Sequence, residues 1–152
     1  YPDDVRRKKL AGHLLLAAQA GQYNYMRCLR HGELSAAQLA VIAFSRSAME
    51  VAFLLNDTYQ PFYKWQFRAL RALPRLPLMA ELLEYLITTG NDGQLARDKY
   101  EVMEGIADDI VRELAEQGLT KATCRDLEKH AYSVNDGISD ANLRNRHILA
   151  GV

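Results

Sequence analysis

A chain of 152 residues closes one hydrophobic core and falls short of what two usually need. With 49% hydrophobic and 25% charged residues, it has the composition of a folded domain, which excludes global disorder. Nineteen Lys+Arg balance nineteen Asp+Glu, and a net charge of zero argues against a general nucleic-acid partner, which a basic excess would attract. Cys28 and Cys124 stand far apart, with no CxxC pair and no zinc spacing, so a metal centre in this chain is not expected. No secretory leader is legible, and the reading is a cytoplasmic protein that does not enter the membrane.

Helical periodicity dominates, and no period-2 strand is visible. Pro2, Asp3 and Asp4 open the first helix, with a proline and two acids at its positive end. The run Arg6 to Lys9 reads as a solvated face. Gly21 is expected to kink or end that helix, and a second stretch covers Gln22–Leu29. Ser35 and Gln38 have the spacing of a capping box, opening a helix that runs to about Leu55. Leu39, Val41, Ile42, Phe44, Met49, Val51 and Phe53 occupy nearly every side of it, the mark of a buried central helix.

The Gln60-Pro61 step precedes a short helix over Phe62–Leu73. Further helices are expected at Leu78–Thr88 and Gln94–Gln117, the latter capped by Gly118. Thr120 or Thr123 is expected to cap the next one. Asp140 starts the last, running to Gly151, with an Asp140–Arg144 pair along it. The expectation is an all-α fold over residues 1–152: one bundle of six to eight helices, mostly antiparallel.

The segment Tyr59–Arg75 carries the strongest functional pattern. Lys64, Arg68 and Arg71 recur at i, i+4 and i+7, with Tyr63 and Trp65 beside them. An otherwise apolar, packed-in helix with one basic stripe is suited to binding phosphate while an aromatic ring stacks on a base. Arg46 and Glu50, four apart in the most apolar helix, are the second constellation. A charged pair there is costly unless it is hydrogen-bonded or faces a cleft, where Glu50 would serve as a general base. Arg125 and His130 are a third, with the Arg-x4-His spacing of small metal-independent RNases, although His130 shares an apolar stripe with Leu127 and Val134. Walker, GxGxxG, HExxH and GxSxG motifs are absent.

The stretches GQYNYMRCLRHGE, FLLNDTYQPFYKWQFRALRALP and DANLRNRHILAG resemble a bacterial family of helical domains of unknown function found C-terminal to a nucleotidyltransferase-like domain. The resemblance implies an arrangement similar to kanamycin nucleotidyltransferase, in which a mixed α/β domain holds nucleotide and metal and a helical bundle binds the acceptor. Mg²⁺ and a nucleoside triphosphate are thereby implied for an α/β domain that these residues do not contain, and no cofactor for this chain. The expected function is an accessory domain lining an anion or nucleotide cleft with Tyr63, Lys64, Trp65, Arg68, Arg71 and Arg46. Its partners would be the N-terminal nucleotidyltransferase-like domain and a small-molecule ligand. The alternatives are an RNase using Arg125 and His130, and a purely structural or dimerising bundle, the latter a homodimer.

Overall fold

The computed structural model describes residues 1–152, and every regular element is helical. The chain runs through α1 (Asp3–Ala17), a π-helical segment (Ala18–Asn24), α2 (Tyr25–Arg30) and α3 (Leu34–Leu55). A 3-10 turn (Tyr63–Trp65), α4 (Gln66–Arg71), α5 (Met79–Thr88) and α6 (Gly93–Glu116) follow. α7 (Leu127–Asp136), α8 (Ala141–Arg144) and a final 3-10 turn (Ile148–Gly151) complete it.

α3 is the axis of the bundle, as its all-round apolar pattern predicts. Val41, Phe44, Ala48, Val51 and Ala52 are fully buried, and α1, α2, α5 and α6 pack around it. By length and composition this helix is apolar enough to cross a membrane; two thirds of its apolar window is instead covered by its neighbours. α1 lies between α3, α7 and the C-terminal 3-10 turn. One continuous cluster of 34 buried residues, from Leu10 to Ile148, forms the core.

α1 and α2 join without a loop. Gly21 does not end the helix; the winding widens to i→i+5 bonding across it. A Cβ at Gly21 would collide with the Phe44 ring, so the absent side chain lets the widened turn lie directly on α3. Gly118 closes α6 at φ +67°, the left-handed position expected of it.

Several local expectations are corrected. Ser35 caps nothing: α3 begins at Leu34, and Gln38 is spent elsewhere. Its Oε1 accepts from Asn91 (2.8 Å) and Lys99 (2.8 Å), and its amide donates to the Ile87 carbonyl (3.0 Å). Lys99 is fully buried, also donates to the Thr89 carbonyl (2.6 Å), and is pushed down to about 8 by burial. The run Arg6 to Lys9 is no solvated face. Lys8 is 2% exposed and donates to Asn135 Oδ1 (3.0 Å) and the Arg146 carbonyl (2.8 Å), and Arg6 holds the Leu54 carbonyl (2.8 Å) at the end of α3. Asp126, rather than either threonine, caps α7. Asp140 caps α8 as expected, but Arg144 turns to the Ile138 carbonyl (2.8 Å) and makes no pair with it.

Candidate functional site

The basic segment is built differently from its sequence expectation. Between α3 and α4 the chain crosses the surface as a strap, Asp57 to Trp65, with one turn of 3-10 helix at its end. Its aromatic side chains face out: Tyr63 is 70% exposed and Trp65 50%. Phe62 stacks on Tyr63 at 4.5 Å, and Lys64 Nζ stands 5.7 Å over the Trp65 ring. Arg71 pairs with Glu84 (3.3 Å), and Arg75 with Glu113 (2.5 Å). Tyr63, Lys64, Trp65, Arg68 and Arg71 line none of the five principal hollows of the molecule. The packed-in helix with a basic stripe is therefore corrected to an exposed aromatic strap. The reason is local: the Pro61 region is not helical, so the i, i+4 register does not begin until Gln66.

Arg46 and Glu50 do face a hollow. A groove of about 520 Å³ runs between the end of α1, the π-helical segment, α3 and the underside of the strap. That volume lies in the range of roughly 300–1,000 Å³ usual for small-molecule sites. Its polar lining is His13, Gln19, Asn24, Arg46, Ser47, Glu50, Gln60 and Gln66, and its remaining wall is Leu16 with three alanines. Each element contributes for a physical reason. The π winding brings Gln19 and Asn24, five residues apart, toward one side. The spacing of Arg46, Ser47 and Glu50 places all three along one side of α3. Gln60 on the strap and Gln66 at the start of α4 turn inward where the strap aromatics turn outward.

Glu50 is half-buried, and burial pushes its carboxyl up, with the nearby Lys9 charge pulling the other way. Turned so that its nitrogen faces the carboxylate, the Gln60 amide donates to Glu50 Oε2 (2.9 Å) and Oε1 (2.6 Å), and its oxygen accepts from Gln66 Nε2. That contact fixes the carboxylate while leaving it acceptor capacity. The expected i, i+4 pair is not formed: Arg46 makes no salt bridge and is exposed at the rim. His13 is held neutral at physiological pH, pushed down to about 4 first by burial and then by Lys9. Its Nδ1 is buried without a partner. Tyr1 and Tyr59 stack at 4.4 Å close to Glu50, whose charge helps raise the Tyr1 phenol after burial and Tyr59.

A second hollow lies across the π-helical segment and shares Gln19, but its guanidinium and its Gln22 amide are occupied. Arg125 grips Asp108 through two bonds (2.8 and 2.7 Å), and Gln22 is spent on the Arg125 carbonyl and the Leu127 amide. His130 is 0% exposed, held between Thr120 Oγ1 (2.8 Å) and the Cys124 carbonyl (2.6 Å). The two residues of the RNase expectation do not converge on an open site: the histidine ties the α6–α7 connection to the core, and the arginine is already neutralised. That expectation is withdrawn.

Sequence reasoning found Arg46 and Glu50 and missed His13, Gln19, Asn24, Ser47, Gln60 and Gln66. Uncharged amides carry little signal of their own. The available clue was His13 on a face otherwise made of Leu10, Leu14 and Ala17.

Residues 1–66 match a family described as a domain of unknown function, DUF4037. The match covers 66 of 152 residues, and every residue that lines the groove lies within it. No curated protein and no solved structure matches the chain.

Proposed function

We propose that this chain is the helical substrate-binding domain of a nucleotidyltransferase-like protein, inactive in transfer by itself, and that the Arg46–Glu50 groove holds the acceptor. The observation that carries the reading is a half-buried carboxylate, fixed by Gln60 at the wall of a groove whose rim bears an uncommitted guanidinium. Glu50 takes the proton from the acceptor hydroxyl as that oxygen bonds to the α-phosphorus of a nucleoside triphosphate and pyrophosphate leaves. The neighbouring α/β domain contributes the metal-bound nucleotide; the residues here bind the acceptor, orient it and receive the proton.

Two measurements test this. The reading frame upstream of Tyr1 should encode a Gly-Ser loop followed by two spaced aspartates. In the protein that carries both domains, Glu50→Gln should lower kcat by about 10²–10⁴-fold, with KM nearly unchanged. Transfer at the wild-type rate by that variant overturns the role given to Glu50.

A second reading, a bundle that pairs with another copy or domain, is favoured by the exposed strap aromatics. A monomer by light scattering at the highest soluble concentration would remove its homodimer form.

A further inference from the structure

The balance of groups in the groove points to the chemistry of its ligand, given that the groove is a substrate site at all, as proposed above. Gln19, Asn24, Arg46 and Ser47 make no side-chain hydrogen bond within the chain. Together with Gln60 and Gln66 they present amides and a hydroxyl, groups that both donate and accept. A single guanidinium and a single carboxylate oppose one another, and Lys9, the other nearby cation, donates to the Gly151 carbonyl (3.3 Å). Such a wall has no net attraction for a phosphate, which would meet Glu50 without a cluster of cations to offset it. It suits a compound dense in hydroxyls, since each hydroxyl also donates and accepts, and a carboxylate accepts strongly from two neighbouring ones.

We infer that the groove binds an uncharged, hydroxyl-rich compound of the sugar or cyclitol class, with two of its hydroxyls on Glu50 and others on Gln19, Asn24 and Ser47. Lys64, Arg68 and Arg71 take no part.

The test is an amide-resolved NMR titration of this chain with myo-inositol and, separately, with AMP. Myo-inositol should shift Gln19, Asn24, Ser47, Glu50 and Gln60. Its Kd should rise tenfold or more in Glu50→Gln and several-fold in Asn24→Ala, whose exposed site leaves the fold intact. AMP should bind at least tenfold more weakly. Groove shifts with AMP and none with myo-inositol would overturn the ligand class while keeping the site. No groove shift with either probe would overturn the site reading as well. Myo-inositol binding that is unchanged in both variants would overturn the residue assignment.

Discussion

The groove and the strap are adjoining surfaces with opposite construction. In the sequence the strap and the start of α4 are the richer in charge, with Lys64, Arg68 and Arg71 beside Tyr63 and Trp65, against one Arg and one Glu on α3. In the fold only the poorer pattern makes a hollow. α3 is packed on nearly every side, so an unpaired charged group there is tolerated only where the neighbouring backbone leaves an opening, and the π-helical widening with three alanines leaves one. The strap has no such constraint. Lys64 on it and Arg68 on α4 lie in water, Arg71 on α4 lies on the Glu84 carboxylate, and the rings of Phe62 and Tyr63 stack on each other at the surface. A charge within an apolar helix thus says more about a site than a denser run of cations on an exposed strap and the short helix after it.

The largest effect expected within this comparison comes from the contact that seats the π-helical wall of the groove on α3. Gly21→Val would drive a branched side chain into the buried Phe44 ring. Overpacking of this kind costs about 1–3 kcal/mol. Urea unfolding should show that loss, together with weakened myo-inositol binding as the π-helical segment lifts off α3. Wild-type stability would mean that Phe44 rotates freely and that the wall is not seated by this contact. Valine is the sharper probe, because alanine recovers up to about 1 kcal/mol of helix propensity and would mask part of the collision.

Next in size is a pH effect at the groove wall. His13 has a folded pKa of about 4 against 6.5 when unfolded. Between those values the unfolded chain binds a proton that the folded one refuses, so stability falls as pH drops from 6.5 to 4. Glu50 has the opposite sign. Its folded pKa is raised above 4.5, so it opposes that fall in the lower part of the window. His13→Gln should flatten the acid limb of a stability–pH profile, and Glu50→Gln should steepen it. A limb unchanged by His13→Gln would place the imidazole in water rather than in the wall.

How much of this was legible in advance follows from which forces act locally. The central helix, the approximate bounds of α5 and α6, and the Gly118 cap were readable, because apolar periodicity and a left-handed glycine are encoded by neighbouring residues. Lys8 was not. It is buried because carbonyls around α8, more than 130 residues away in sequence, close over it, and nothing near it in the chain announces them. Gln38 likewise fits a cap by spacing, yet it bonds Asn91 and Lys99 across the bundle. The groove was half legible: Arg46 and Glu50 stand out against an apolar helix, while its amides acquire meaning only once three separate elements converge.

The smallest effect separates the strap from the groove most cleanly. Trp65, had it been packed into a helix, would cost about 3–5 kcal/mol on truncation to alanine. It is instead half exposed, in a short 3-10 turn, with a lysine lying over its ring. Trp65→Ala should therefore cost about 1 kcal/mol or less, and Lys64→Ala about 0.5 kcal/mol or less. Neither should change the Kd for myo-inositol beyond twofold, because neither side chain reaches the groove. A tenfold change with Trp65→Ala, with the fold intact by circular dichroism, would mean that the aromatic face of the strap reaches the ligand as well as its Gln60 face. The division drawn between the groove and the outer strap would then have to be given up.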